Sequence, residues 1–309
     1  MTTIKRIIFT LICIGAIYII YDSIQHIRAE ISHRNGFLKQ VQGYPHIANK
    51  DYQKAVDLMP WETHYRLQLA KSYEATSKKR TSEYIKYIDL AIKEYEKLIA
   101  FDTINPWFTA RLGLIYYELS KKYPDNPNHI KTALKYTKQA TENDKKNPLF
   151  TMHYGHLLYN QQQFEDAKKY YLKTVKYDKD MTEARLNLAT IYSQENDIKN
   201  AMIHYKDIET RLTNLEKQQK TSPSTRIKNQ INTFQHARIK LATYYLKSNN
   251  TQEALTMINR LPLSIEKYEL LAQYYEQTNN IPAAISIYKQ LHTQLKQKKY
   301  ADKLNTLSK

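Results

Sequence analysis

The chain has one cysteine and five glycines in 309 residues. A lone Cys13 can form no intramolecular disulfide, and it rules out CxxC redox chemistry and a zinc-ribbon appendage. So few glycines leave no room for a glycine-rich phosphate loop, and GxSxG and HExxH are missing as well. No pattern of nucleophile, base and oxyanion donors stands in their place, so catalysis is not the expected role, and neither a cofactor nor a metal is expected. Scarce glycine beside plentiful Ala, Leu, Lys, Gln and Tyr favours an all-α chain. Hydrophobic residues make up 42%, enough for a sizeable core.

What is present is a period. Gly155 and Ala189 stand 34 residues apart, as do Ala167 and Ala201, and Tyr171 and Tyr205. The same phases recur upstream as Leu69-Ala70 with Tyr73, Ala91 and Tyr95, and as Leu112-Gly113 with Tyr116, Ala133 and Ala140. Downstream they recur as Leu241-Ala242 with Tyr245 and Ala254, and as Leu271-Ala272 with Tyr275, Ala284 and Tyr288. This pattern resembles the tetratricopeptide repeat, in which small residues let two antiparallel helices approach closely and large ones fill the space between hairpins. The resemblance implies an α-solenoid of about six helical hairpins. A degenerate half-repeat is expected around Tyr52 and Ala55. Pro106 and Pro148 fall at the first position of the following helix, where a missing N–H costs nothing. Extra residues in the first two repeats, an insertion before the fifth and a 30-residue last step from Ala242 to Ala272 point to an irregular array.

Ahead of the repeats, Lys5-Arg6 precedes an uncharged run from Ile7 to Tyr21. Fifteen helical residues cover about 22 Å against a hydrocarbon core of about 30 Å. Extending the run to Ile24 or Ile27 makes a short span, with Tyr18 and Tyr21 near one interface. Bulky residues after the run offer no small-x-small cleavage site, which favours an uncleaved single transmembrane helix over a signal peptide. Lys5 and Arg6 favour a cytoplasmic N-terminus, although Arg28, Arg34 and Lys39 nearly cancel the bias. The expected placement is a bacterial inner membrane with the repeats outside the cytoplasm; the alternative has them facing the cytoplasm.

The formal charge of +17 invites a nucleic-acid reading. Lysines dominate over arginines and are dispersed, without arginines alternating with stacking aromatics, which disfavours it. A polyanion of another kind (carbohydrate or anionic lipid) is the alternative use of that charge. His153 and His156 share a helix face at i, i+3, but no third metal ligand accompanies them.

In the repeat family, helix A lines the concave face. Transferring its inward phases to this sequence gives a partner-binding groove of Trp107, Leu114, Tyr117, Leu149, Met152, His156, Tyr159, Leu186, Asn187 and Thr190. The last repeat contributes an acidic end at Glu266, Glu269 and Glu276. The carboxylate clamp of some family members is not expected, because Met152 and His156 occupy its first Lys and Asn positions. Asn187 matches the middle Asn, and His236 and Lys240 only approximate the final basic pair. The expected organisation is an anchor over 1–27, a juxtamembrane segment over 28–44, repeats over 45–291, and a capping helix with basic tail over 292–309. The expected role is a membrane-anchored scaffold, touching the membrane through residues 7–24. It would bind proteins or peptides during assembly of a cell-envelope, secretion or surface-glycan complex.

Overall fold

The computed structural model describes the backbone of residues 2–308 and the side chains of residues 7–308. The side chains of Lys5 and Arg6, which carry the orientation argument, lie outside the described residues, as does Lys309. Among the described residues there are fifteen α-helices and no strand. The chain divides into two compact units, Met1–Leu157 and Leu158–Lys309.

The first unit begins with α1 (Thr2–Val41), a single 40-residue helix. Hairpin partners follow as α2 (Pro45–Leu58), α3 (Thr63–Lys79), α4 (Tyr84–Phe101), α5 (Pro106–Lys122) and α6 (Pro127–Asn143), and α7 (Pro148–Asn160) runs across the boundary. The anchor expected over 1–27 and the juxtamembrane segment expected over 28–44 fall on one helix as far as Val41, and its C-terminal part is packed. Ala29 joins Ala48, Tyr52, Ala55, Val56 and Leu69 in one core cluster. A Cβ on Gly36 would sit 3.1 Å from the Tyr52 ring, so the absent side chain is what lets α1 and α2 close together. Residues near Tyr52 and Ala55 therefore pair with α1 instead of forming half a hairpin alone.

The small residues of the repeat pattern mark the closest helix crossings. A Cβ on Gly113 would meet the Thr137 hydroxyl at 2.5 Å and its backbone nitrogen at 3.0 Å, fixing how tightly α5 lies on α6. Ala70, Ala91, Ala133 and Ala140 are fully buried in the same role. Tyr95 is buried with its hydroxyl donating to Glu74 at 2.7 Å. Arg111 also reaches Glu74, so one buried carboxylate ties α3, α4 and α5 together.

The second unit continues with α8 (Phe164–Tyr177), α9 (Thr182–Gln194), α10 (Ile198–Thr221), α11 (Thr225–Lys247), α12 (Thr251–Asn259), α13 (Ile265–Gln277), α14 (Ile281–Leu295) and α15 (Lys298–Leu307). Ala167, Tyr171, Ala189, Ala201, Tyr205, Ala242, Ala254, Ala272 and Ala284 are buried at the repeat phases. The insertion before the fifth repeat forms no separate loop. It lengthens two neighbouring helices, making α10 24 residues and α11 23 residues long. Leu212, Leu215, Ile231 and Phe234 give the added turns apolar faces, and Arg238 is buried between them.

A second periodic element sits at the turns. Gln162, Asn196, Asn249 and Asn279 all have φ near +60° at the junction of helix A with helix B. In each, the next N–H donates five residues back: Gln163 to Leu158 (3.0 Å), Asp197 to Tyr192, Asn250 to Tyr245 and Asn280 to Tyr275 (2.8 Å each). This left-handed cap satisfies carbonyls that the helix end leaves open. Asparagine tolerates the conformation better than other non-glycine residues.

Candidate partner-binding site

In the first unit, the helix-A positions are set by a repeated Asn-Pro start. Asn105 accepts from the N–H of Trp107 at 3.1 Å, and Asn147 accepts from that of Leu149 at 3.0 Å. Asn126 does the same for Asn128, also at 3.1 Å. The asparagine satisfies an open N–H of the first turn while proline supplies the preset φ. Trp107 and Leu149 are thereby held at fixed positions on the first turns of α5 and α7. The prolines were legible in the sequence; the capping asparagines were missed, although each directly precedes a proline.

These two helices bring several expected residues together. The Trp107 indole meets Phe150 edge to face, with centroids 4.9 Å apart, while remaining 57% exposed. Tyr117 and His156 face one another at 3.4 Å between the hydroxyl and Nε2, with their rings nearly perpendicular. The Lys121 ammonium lies 4.3 Å from the centre of the Tyr117 ring. Leu114 and Leu149 are half-buried. Met152 is different: it is only 8% exposed, so this groove position serves packing first. Phe101, at the end of α4, and Ile104, in the turn before α5, are also exposed apolar side chains of this unit.

In the second unit, Tyr159 lies edge to face on Phe164 at 5.2 Å, and its hydroxyl accepts from Gln194 at 3.4 Å. Leu186 packs against the main core of this unit. Asn187 is half-buried, and the Thr190 hydroxyl donates to the Leu186 carbonyl at 2.9 Å, turned back onto its own helix.

Two of the three residues at the acidic end are engaged within the chain, whereas Glu266 is exposed. Lys299 and Tyr300 of α15 reach Glu269 at 2.5 and 2.7 Å. Lys303 reaches Glu276 at 2.8 Å, and Tyr288 donates to the same carboxylate at 2.5 Å. Burial alone would raise the Glu269 pKa, but the Lys299 and Tyr300 hydrogen bonds outweigh it and hold the carboxyl below its usual range. The basic tail and the acidic groove end therefore neutralise one another within this unit.

Burial lowers the His153 pKa, with His156 nearby adding to the effect, so its neutral imidazole is favoured. Among the described residues no three His, Cys, Asp or Glu side chains are grouped to hold a metal ion. What the first unit presents is aromatic edges, half-buried leucines and a Tyr–His pair able to donate or accept. Such a set can hold apolar side chains and a few backbone polar groups of another chain.

No protein-family model matches the chain, and no curated protein matches it. Among solved structures it is similar to the C-terminal part of a TPR repeat-containing protein from Cytophaga hutchinsonii. That match has 16% identity and a TM-score of 0.59, over 79% of this chain and 87% of that one. It is also similar to pilF of Pseudomonas aeruginosa, with 16% identity and a TM-score of 0.53, over 81% of this chain and 99% of that one. At these identities the likeness speaks to fold. Together with the buried small residues at each repeat phase, it makes this chain a tetratricopeptide-repeat α-solenoid by fold, preceded by an apolar N-terminal helix that is a candidate membrane anchor.

Proposed function

We propose that the protein is a membrane-anchored scaffold that captures a segment of a protein partner on its helix-A faces. The observation that carries this reading is Trp107, a large aromatic fixed by a cap and a neighbouring ring yet more than half exposed. Trp and Tyr so placed are the usual anchors of protein interfaces. Leu114, Tyr117, Leu149 and His156 complete the set in the first unit. Tyr159, Leu186, Asn187 and Thr190 form the corresponding set in the second, and Met152 supports the first set from beneath.

The membrane part rests on α1, which among the described residues is the one helix long and apolar enough to cross a bilayer. Its uncharged run, with the bulky residues after it, favours an uncleaved anchor, and Lys5-Arg6 favours repeats outside the cytoplasm. A reporter fused to the C-terminus reads that side directly. Work at the surface of a bacterial inner membrane, in building an envelope, secretion or surface-glycan complex, is the setting this arrangement suits. The exposed aromatic and half-buried apolar side chains of the site suit binding of another chain.

The test is site-specific photocrosslinking from Trp107 and Tyr159 in full-length protein in native membranes, with Lys54 as an outward control. Adducts with a discrete protein from the first two and not from Lys54 are expected, surviving 0.5 M salt. Absence of adducts at both groove positions overturns the reading. Capture that collapses with salt favours polyanion binding through the basic surface instead.

A further inference from the structure

α1 is two-sided over its whole C-terminal half. One side carries Ala29, Ser32, Gly36 and Lys39, which face α2: the first three are buried, and Lys39 pairs with Asp51 at 2.5 Å. The opposite side carries Ile20, Ile24, Ile27, Ile31, Leu38 and Val41, all 48–69% exposed. With Arg34 included, their separations run 4, 3, 4, 3, 4, 3. That alternation is the heptad a/d pattern, with Ile24, Ile31 and Leu38 at a and Ile20, Ile27, Arg34 and Val41 at d. It extends for about 31 Å of helix, from the apolar run into the packed part of α1.

We infer that this stripe is the seam of a parallel coiled coil between copies of the same chain; Ile at both a and d suits two or more strands. Period decides the kind of occupant. A 3.5-residue repeat follows a straight helix poorly but follows a supercoiled helical partner along its whole length. Bilayer lipid cannot cover all of the stripe either. A span of about 20 residues starting near Ile7 ends by about Ile27, which leaves Ile31, Leu38 and Val41 beyond the hydrocarbon.

The anchor then selects a second copy. Chains inserted the same way stand parallel, with identical residues level, so each Ile meets its own counterpart. The parallel alignment rests on the anchoring reading proposed above. Arg34 interrupts the aliphatic d positions once, and a single polar seam residue of this kind fixes register. The small residues at 29, 32 and 36 keep α2 on the other side, so the seam is clear of the chain's own hairpins.

Cys13 also falls at a d position, one heptad before Ile20. Full-length protein is reconstituted in phosphatidylcholine–phosphatidylglycerol vesicles and oxidised with copper phenanthroline, and flotation is scored on the same samples. A species of twice the chain mass is expected through Cys13, and through I31C in a C13S background, but not through K50C in that background. The double variant Ile27→Glu with Ile31→Glu should cut Cys13 crosslinking at least tenfold, with unchanged circular dichroism because those side chains are mostly exposed in one chain.

Floating protein that stays monomeric at both Cys13 and I31C overturns the proposal, as does an adduct of any other mass. Protein that fails to float overturns anchoring alone. Sedimentation equilibrium of the full chain in detergent then decides self-association: an oligomer lost in the Glu variant supports it, and a monomeric unmutated chain overturns it.

Discussion

Arg238 and Glu209 form a fully buried pair: the guanidinium Nε and Nη2 donate to the two carboxylate oxygens at 2.6 and 3.0 Å. Glu216 takes a second fork from the same arginine at 2.5 and 3.0 Å, and Arg260 adds a bond to Glu209 at 2.7 Å. This network joins the lengthened α10 and α11 to the end of α12. Arg238→Ala leaves Glu209 and Glu216 with only Arg260 as countercharge, half of what they had, and should cost about 3–5 kcal/mol. Chemical denaturation of the full chain in detergent measures it. A loss below 1 kcal/mol would mean that the added turns are held by their leucines alone.

The left-handed turns offer a gain instead of a loss. Three of the four carry Asn, whereas Gln162 adopts φ 59° without that tolerance. Gln162→Gly relieves the Cβ crowding and should stabilise by about 0.5 kcal/mol after glycine's own entropy cost. Asn196→Gln makes the reverse change and should lose a similar amount. Thermal unfolding of both variants reads the pair, and equal signs would contradict the account.

Met152 and Trp107 separate packing from recognition. Met152→Ala empties a buried site and should cost about 2–4 kcal/mol. Trp107→Ala removes one edge-to-face contact from an exposed ring and should cost no more than about 1.5 kcal/mol. Partner crosslinking should respond in the opposite order, lost in Trp107→Ala and retained in Met152→Ala under conditions where that variant remains folded.

The buried histidines set a pH dependence. His153 is held below the ordinary value of 6.5 by burial and then by His156; His204 is held below it by burial and then by Arg185. Each lowered pKa means that the unfolded chain takes up protons first as pH falls. Their contribution is complete above about 6.5 and is lost as pH drops through the lowered values. The urea midpoint at pH 7.5 should exceed that at pH 5.0, and the difference should shrink in His153→Gln. Glu269 acts in the same direction at lower pH, below its ordinary 4.5, where docking of α15 weakens.

The repeat was legible because close helix crossings leave small residues at fixed spacing: Ala189 and Ala201 are buried where the period puts them. Groove positions were less legible. Phase alone puts Met152 and Trp107 on the same face, yet one is buried and the other open, because exposure depends on how far the neighbouring helix leans over each. Engagement of Glu269 was hidden for a related reason, since Lys299 lies 30 residues away and only the fold brings them together. Arg238 was silent in the sequence because its partners lie 29 and 22 residues away on a helix whose extra length read as an interruption. The small residues Ala29 and Gly36 were a usable signal, seven apart, that the segment after the apolar run is packed helix.

Because α1 is unbroken from Thr2 to Val41, the apolar segment and the first hairpin turn as one shaft. Such a shaft has a heading as well as a height. One residue added between Ser23 and Arg28 would swing α2 and α3 through about 100° around the axis while moving them only about 1.5 Å along it. The compass direction in which Trp107 looks out is thus set by the residue count of a helical stretch about eighty positions away, and a deletion there would re-aim α2 to α6 without touching any residue of them.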